Sequence, residues 1–211
     1  EFPFPLREYQ SDAVNELAPL DRTGLYLEPG LGKTAVSTFC ALYKLIMGQA
    51  ETVLAIMPPL LVDQWAAWLS KIKRREGKQP TIHKYAGPPA KRKEIGFKTD
   101  FMLSGMQLFK QDIERFNDEL GGKNIHVILD EAQCIKNVDS NNYRVYRDFV
   151  EFNTHQLLTG TPLNVPVDAY AYIKLVSPGT YRNRLHFTDA HVTEIDIFES
   201  PTAYKDLDIL T

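Results

Sequence analysis

The chain has 211 residues, of which 44% are hydrophobic and 24% are charged, and its formal net charge is −3. With two cysteines and no apolar run near the length of a membrane span, this composition argues against a disordered chain, a disulfide scaffold and a membrane helix. A chain of this length can bury roughly 70% of its unfolded surface, so one globular domain is expected.

Short apolar runs alternate along the chain with segments whose apolar residues repeat at helical spacing. This alternation predicts an α/β fold, in which a mostly parallel sheet is flanked by helices. Strands are predicted at residues 24–27, 52–57, 81–85, 100–103, 126–129 and 155–158.

Apolar stripes between the strands predict helices and are interpreted as core, the tryptophans included. The stripes consist of Ala35, Val36, Phe39, Tyr43, Ile46 and Met47; of Leu61, Trp65, Trp68, Leu69 and Ile72; of Met106, Phe109, Ile113 and Phe116; and of Tyr143, Tyr146, Phe149 and Val150. Cys40 and Cys134 are expected to be buried small apolar residues. Residues 178–211 lose the rhythm of strands and helices and are interpreted as a tail or the start of a linker.

The charges segregate along the chain. Residues 71–98 contain ten Lys and Arg but two acids, a local charge of +8, whereas the remainder carries −11. A nucleic-acid partner is therefore compatible with the small net charge. The N-terminal residues EFPFPL do not form a secretory signal, which favours an intracellular location, in the cytoplasm, nucleoid or nucleus.

The segment EPGLGKT at residues 28–34 has the context of a phosphate-binding loop, since it follows a predicted strand and opens a predicted helix. Glycines at 30 and 32 let successive backbone N–H groups face an anion. Lys33 can reach terminal phosphates, and Thr34 can offer its hydroxyl to Mg²⁺. The strict pattern has glycine where this chain has Leu27, so an ordinary strand-to-helix turn is the alternative.

A second signal is HVILDEAQ at residues 126–133, an apolar strand that ends in two acids. Ligands of open α/β sheets gather at the carboxyl ends of strands, so Asp130 and Glu131 are expected beside the phosphate loop. Asp130 would hold Mg²⁺ through water, and Glu131 would orient and deprotonate the attacking water. The alternative is an acidic pair that caps the next helix.

Four motifs occur together in a fixed order: LREYQ at 6–10, EPGLGKT at 28–34, DEAQ at 130–133 and LTGTP at 158–162. In this order they resemble the first RecA-like lobe of superfamily-two helicases, most of all the Swi/Snf-type ATPases that translocate on double-stranded DNA. Met57-Pro58 with Gln64-Trp65 resembles the family's motif Ia, and Leu103-Ser104 resembles the strand-end motif ahead of DEAQ.

The resemblance implies a RecA-like P-loop NTPase fold, a three-layer sandwich whose ATP-binding domain spans residues 1–177. Residues 178–211 would lead toward a second RecA-like lobe of the same polypeptide, which supplies arginine fingers. The same resemblance implies a DNA-dependent ATPase that uses ATP and Mg²⁺ and acts on double-stranded or branched DNA. It implies no membrane partner. The isolated lobe is then expected to be nearly inactive.

Residue roles follow from the resemblance motif by motif. Gln10 would read adenine, and Arg7 would help shape that pocket, with a surface ion pair as the alternative for Arg7. Catalysis would rest on Lys33, Asp130 and Glu131, and Mg²⁺ would bind Thr34 and Asp130. The implied nucleotide contacts are Arg7, Gln10, Pro29, Gly30, Leu31, Gly32, Lys33, Thr34 and Gln133.

Gln133 would also link the nucleotide site to a coupling segment formed by Thr159, Gly160 and Thr161. For the two threonines, a strand end stabilised by side-chain-to-backbone bonds is the alternative. Where the family has Asp-Glu-Met before GLGKT, this chain has Leu27-Glu28-Pro29, and Pro29 stiffens the turn.

The basic stretch at residues 71–98 lies where family members contact the DNA backbone, and such contacts are independent of base sequence. The implied DNA contacts are Lys84, Lys91, Arg92, Lys93 and Ser104. A solvated helix end and loop is the alternative. For the whole chain, two alternatives remain open. Another P-loop enzyme would not explain LREYQ and LTGTP. A nucleotide-gated interaction module without hydrolysis would not need an intact Glu131.

Overall fold

The computed structural model describes residues 4–73, 79–196 and 201–207. Its main sheet has six strands, all paired in parallel, in the order β1-β6-β5-β2-β4-β3. The strands are β1 (Arg22–Leu25), β2 (Thr52–Met57), β3 (Ile82–Tyr85), β4 (Phe101–Gly105), β5 (Ile125–Asp130) and β6 (Thr154–Leu158). The predicted strands are confirmed, and their ends differ by no more than two residues.

Helices cover both faces of the sheet, which confirms the three-layer α/β sandwich. The helices are α1 (Glu8–Leu17), α2 (Lys33–Ile46), α3 (Val62–Leu69), α4 (Pro89–Lys93), α5 (Met106–Gln111), α6 (Ile113–Leu120), α7 (Asn141–Val150), α8 (Ala169–Val176) and α9 (Arg184–His191). An antiparallel pair, β7 (Val192–Ile195) and β8 (Pro201–Tyr204), follows them. In the ranges that the structure describes, none of the helices combines the length and apolar composition needed to cross a membrane.

Two apolar clusters lie on opposite faces of the sheet, because successive strand residues point to opposite sides. Val53 and Ala55 of β2 pack with α1, α2 and α3, whereas Leu54 and Ile56 pack with α5 to α8. The central strands are buried on both faces, which explains why they are continuous apolar runs.

The buried face of α2 differs from the predicted stripe. Ile46 and Met47 are 80% and 58% exposed, so the expectation that they belong to the core is wrong. The helix instead turns Val36, Cys40 and Lys44 toward the sheet. Lys44 buries its aliphatic stem there, and its ammonium lies 3.5 Å from the Asp21 carboxylate at the amino edge of the sheet.

The predicted helix over residues 106–116 is two helices, because the chain breaks at Asp112 (φ −111°, ψ 28°). The Asp112 carboxylate accepts hydrogen bonds from Arg92 Nε at 2.6 Å and from the Tyr85 hydroxyl at 2.8 Å. Arg92 Nη2 lies 3.2 Å from the other carboxylate oxygen. This tertiary network fixes the residue at which α5 ends.

The two cysteines differ in exposure. Cys40 is buried as expected, but Cys134 lies on the surface, so the expectation of burial is wrong for Cys134. Cys134 belongs to the 3₁₀ turn Ala132–Ile135, whose inward side is formed by Ala132 and Ile135. Since residues three apart share one side of such a turn, Cys134 faces outward.

Residues 178–211 contain regular structure, so the expectation of a stretch without strand or helix is wrong. Asn183 caps α9 by accepting a hydrogen bond from the His186 N–H at 2.9 Å. Phe187 is buried against Tyr181, whose hydroxyl lies 2.5 Å from His191 Nε2. Phe187 is the main apolar residue on the buried face of α9, so the sequence shows little apolar periodicity there. The domain boundary at residue 177 stays a prediction.

We expect Asp112→Asn to lower the free energy of unfolding at pH 7 by about 2 kcal/mol, the range for hydrogen bonds to charged groups. The hydrogen bond from Arg92 holds the pKa of Asp112 below its ordinary value. A depressed pKa stabilises the fold above the unfolded pKa of about 3.9, and this stabilisation is lost as the pH falls through the folded value. The difference from the wild type should therefore shrink below about pH 4 in urea titrations. Asp118→Asn, at an exposed position of α6, is the control; an equal loss in both variants would contradict this role.

Candidate active site

A cleft of about 630 Å³ opens at the carboxyl edge of the sheet. Its walls come from the loop before α2, from α3, from the end of β5 and from the segment after β6. The lining residues are Pro29, Gly30, Gly32, Lys33, Thr34, Leu61, Gln64, Trp65, Trp68, Asp130, Glu131, Gly160 and Thr161. Segments that are distant in sequence thus meet at the carboxyl ends of the strands, where open α/β sheets bind their ligands.

The loop at residues 28–34 has the backbone shape of an anion-binding turn. Gly30 and Gly32 both have φ of 85°, and Gly32 is the residue that caps α2. Glycine adopts this left-handed conformation without the steric cost of a side chain. A Cβ atom on Gly32 would also lie 2.3 Å from Gln10 Nε2, so the Gln10 side chain would have to shift.

Lys33 folds across this loop. Its ammonium donates to the Leu27 carbonyl at 2.7 Å and lies 3.3 Å from the Glu28 carbonyl. Leu27 therefore contributes its backbone oxygen, while its side chain packs against the apolar cluster of α1, α2 and α3. This geometry explains how leucine can replace the glycine of the strict loop pattern.

Gln10 braces the loop from α1. Its Nε2 donates to the Leu31 carbonyl at 3.0 Å, and its Oε1 accepts from the Arg7 N–H at 3.0 Å. The Tyr9 hydroxyl donates to the same Leu31 carbonyl at 3.0 Å. Gln10 Nε2 also lies 3.4 Å from the Tyr9 hydroxyl, so both amide donors are engaged and Oε1 keeps one acceptor site. The adenine role of Gln10 stays a prediction, as does that of the exposed Arg7.

Asp130 ends β5 inside the cleft and is held from two directions. Its Oδ2 accepts from Trp65 Nε1 at 2.8 Å, and its Oδ1 accepts from the Glu131 N–H at 3.0 Å. Burial raises the pKa of Asp130, whereas these two hydrogen bonds lower it.

Glu131 adopts a left-handed backbone conformation, with φ of 55° and ψ of 53°. A non-glycine residue in this region costs on the order of 1–3 kcal/mol and persists only where its surroundings impose it. The Gln133 amide donates to Glu131 Oε2 at 2.7 Å and so fixes the carboxylate.

Hydrogen bonds join the DEAQ and LTGTP segments through Gln133. The Thr159 hydroxyl donates to Gln133 Oε1 at 2.7 Å and accepts from the Thr161 N–H at 3.1 Å. A continuous set of bonds therefore runs from the backbone of Thr161 to the carboxylate of Glu131. The coupling role of Thr159, Gly160 and Thr161 stays a prediction.

Gly160 packs directly against the phosphate loop. A Cβ atom at this position would lie 3.0 Å from Pro29 Cδ and 3.4 Å from the Leu27 carbonyl oxygen. Pro29, which departs from the family pattern, thus lies nearest to Gly160 of the LTGTP segment.

Trp65 and Trp68 form hydrogen bonds in the cleft that the apolar pattern did not predict. Both line it as indole donors three residues apart: Trp65 reaches Asp130, and Trp68 Nε1 reaches the Thr38 hydroxyl at 3.0 Å. The Thr38 hydroxyl in turn donates to the Thr34 carbonyl at 2.6 Å. A buried indole N–H needs an acceptor, and this need was the available signal.

The predicted DNA contacts fall into two groups. Lys84, Lys91 and Lys93 are exposed, and Lys84 forms an ion pair with Asp63 at 2.9 Å. The prediction is wrong for Arg92, which is 4% exposed and bound to Asp112. It is also wrong for Ser104, whose buried hydroxyl donates to the Gly105 carbonyl. Arg74, Arg75 and Lys78 of the basic stretch lie outside the described residues.

A second concavity, which we call the carboxyl-edge groove, lies beside the cleft on the other side of α3. It is lined by Pro59, Val62, Asp63, Lys84, Tyr85, Ala86, Gly105, Gln107, Leu108 and Gln111. The ends of β2, β3 and β4 thus border the groove, whereas the ends of β5 and β6 border the cleft.

The residues of the cleft fit MgATP. The left-handed glycines and the α2 N-terminus suit a phosphate chain, and Lys33 can neutralise it. Thr34 and Asp130 line the same cleft, and oxygen ligands of this kind suit Mg²⁺, which binds proteins through few side chains and keeps several waters.

The chain is similar in sequence to proteins named as an ATP-dependent helicase and as chromatin-remodeling ATPases. The ATP-dependent helicase YqhH of Bacillus subtilis is 27% identical over 183 residues, which cover 85% of this chain and 30% of that protein. The ISWI chromatin-remodeling complex ATPase ISW1 of Saccharomyces cerevisiae is 28% identical over 201 residues, which cover 87% of this chain and 17% of that protein. The chain therefore spans no more than 30% of these relatives.

A solved structure has the same fold. The SWI2/SNF2 ATPase core of Sulfolobus solfataricus in complex with dsDNA aligns with a TM-score of 0.74 and 20% sequence identity, covering 90% of this chain and 39% of that one. The sequence model of the SNF2-related domain matches residues 9–208, nearly the whole chain. The resemblance to Swi/Snf-type ATPases is thereby confirmed, and the chain belongs to the SNF2-related domain family.

Proposed function

We propose that this chain is the ATP-binding lobe of a DNA-dependent ATPase, which couples hydrolysis of MgATP to movement along DNA. The observation that carries the proposal is the meeting of Lys33, Thr34, Asp130 and Glu131 around one cleft. The ATP-dependent relatives and family membership support it.

Each residue of the cleft has a distinct task in this proposal. The loop N–H groups and Lys33 bind the phosphate chain, and Thr34 and Asp130 hold the metal. Bound Mg²⁺ supplies positive charge that offsets the charge developing on the transferred phosphoryl group. Glu131 orients the attacking water and takes its proton, and it lines the same cleft as Asp130.

The hydrogen bonds from Glu131 to Thr161 supply a route by which this event can reach the rest of the lobe. Gln133 holds Glu131 with its amide nitrogen and Thr159 with its amide oxygen. If Glu131 moves when it takes a proton, Gln133 loses an acceptor, and the position of the LTGTP segment changes with it.

Hydrolysis at a useful rate requires a second RecA-like lobe in this proposal. The relatives are longer than this chain, which covers 39% of the Sulfolobus solfataricus core structure. Arginine fingers from a partner lobe would act on the phosphate from the open side of the cleft.

DNA would bind along the carboxyl-edge groove and the exposed lysines beside it. Lys84 lines the groove, and Lys91 and Lys93 lie on α4, which follows β3. Lysines neutralise backbone phosphates without reading bases, as a translocating motor requires. The Sulfolobus solfataricus relative is bound to dsDNA, which supports a duplex as the partner.

In the full-length protein, we expect Lys33→Ala to abolish ATP binding and hydrolysis together. Glu131→Gln should lower the hydrolysis rate by about 10²- to 10⁴-fold while ATP still binds, because it removes the base and leaves the phosphate contacts. Phosphate release and equilibrium binding of ATP measure the two effects. Glu114→Gln, an exposed position on α6, is the matched control, and a Glu131→Gln variant as fast as this control would contradict the proposal.

The 211-residue chain alone should hydrolyse ATP about 10³- to 10⁵-fold more slowly than the full-length protein, the range assigned to arginine fingers. The measurement compares phosphate release by both proteins, with and without duplex DNA. Equal DNA-stimulated turnover by the two would refute the need for a second lobe.

The double substitution Lys91→Glu and Lys93→Glu should weaken duplex binding. It should also reduce the slope of the logarithm of the binding constant against the logarithm of salt concentration by about two, because each lysine neutralises about one phosphate. Arg92 stays in place in this variant, since it holds Asp112. The control is Lys123→Glu with Arg144→Glu, which changes the net charge equally at exposed positions before β5 and on α7, outside the basic stretch. Binding curves that coincide for the two variants would rule out the α4 lysines as contacts.

A further inference from the structure

We infer that Trp65 is a positioning residue for the metal site: its indole N–H fixes the orientation of the Asp130 carboxylate and so sets the affinity for Mg²⁺. The inference rests on the proposed function and deepens it. It concerns a residue that touches the carboxylate rather than the reacting atoms.

The contact is short, buried and directional. Trp65 is 2% exposed and Asp130 is 6% exposed, and the Nε1–Oδ2 distance is 2.8 Å. Indole nitrogen can donate but cannot accept, so this contact has one possible polarity. Hydrogen bonds to a charged acceptor are roughly twice as strong as neutral ones.

The carboxylate is oriented by two independent elements. The first residue after β5 supplies the Glu131 N–H to Oδ1, and α3 supplies the Trp65 N–H to Oδ2. Each carboxylate oxygen offers about two acceptor sites, so each keeps one for a metal-bound water. With the backbone donor alone, the carboxylate plane could turn about χ2, a soft torsion.

The helix that carries Trp65 also reaches the other metal-binding segment. Trp68 donates to the Thr38 hydroxyl, which donates to the Thr34 carbonyl. The two indoles therefore do different things: Trp65 contacts a side chain that is expected to hold Mg²⁺, whereas Trp68 supports the backbone of α2. Trp68 therefore belongs to the site as well, and the control on the same helix is the exposed Ala67.

The test is the Mg²⁺ dependence of ATP binding to the 211-residue chain, measured by calorimetry in an Mg²⁺ series and in EDTA. Trp65→Phe should raise the Mg²⁺ concentration for half-maximal enhancement by about 10-fold or more, since loss of a partner of a metal ligand costs 10- to 100-fold. The ATP affinity of Trp65→Phe in EDTA should stay within about threefold of the wild-type affinity, because the phosphate contacts remain. Ala67→Ser, at an exposed position of α3, should leave the ratio of the affinities with and without Mg²⁺ unchanged.

A second measurement reads the contact without nucleotide. The chain has two tryptophans, so a ¹H–¹⁵N spectrum contains two indole signals, and Trp65→Phe assigns them. Asp130→Asn should move the Trp65 signal and leave that of Trp68 in place. If neither signal moves, the contact is absent in solution and the inference is overturned.

Loss of volume in Trp65→Phe is separated from loss of the donor by a second variant. Incorporation of 3-benzothienyl-alanine at position 65 replaces the N–H with sulfur at nearly the same shape. The same rise in Mg²⁺ requirement in both variants supports the positioning role. A wild-type Mg²⁺ dependence in the benzothienyl variant overturns it, since packing alone would then explain Trp65→Phe.

The outcomes also separate this inference from the proposed function. If the wild-type chain and the full-length protein bind no ATP with Mg²⁺, the proposed function fails, and the inference fails with it. If the wild type binds MgATP and Trp65→Phe has the same Mg²⁺ dependence, the inference alone fails.

Discussion

Parallel pairing of β1, β6, β5 and β2 brings the carboxyl ends of four strands to one edge of the sheet. The chain leaves β1 through the phosphate loop, β5 through Asp130 and β6 through the LTGTP segment, so residues about a hundred positions apart become neighbours. Reversing any of these strands would send its loop to the opposite edge. The cleft is therefore a consequence of strand direction first and of individual side chains second.

Polar groups at this edge are held by partners from other elements, which gives the site its rigidity. Asp130 takes a donor from α3, Glu131 takes one from Gln133, and Gln133 takes one from Thr159. A buried carboxylate without such partners would lose several kilocalories per mole of hydration without compensation. The left-handed backbone of Glu131 is a further cost, and its position between these bonds explains how the fold sustains it.

The sequence predicts the strands and the motifs of the site well, because apolar runs and glycine-rich turns depend on local residues. It predicts poorly what depends on tertiary partners. The sequence places Arg92 in a basic run and so predicts a surface charge, yet the Arg92 side chain is buried and forms an ion pair with Asp112. The Ile46 position fits an apolar period, but α2 turns Lys44 toward the sheet instead. Trp65 fits the core stripe equally well, and only its indole hydrogen bond reveals a second purpose.

The helix α3 is the wall between the cleft and the carboxyl-edge groove, and this limits how the two can act on each other. Asp63 faces Lys84 in the groove, while Trp65, two residues later, binds Asp130 in the cleft. A hydrogen bond of 2.8 Å is lost when its atoms separate by much more than half an ångström. The Lys84–Asp63 pair is exposed at both side chains, and exposed pairs contribute about 1 kcal/mol at most, so its loss places little force on α3. The buried Trp65–Asp130 bond is the stronger of the two contacts, so α3 is held mainly against the end of β5.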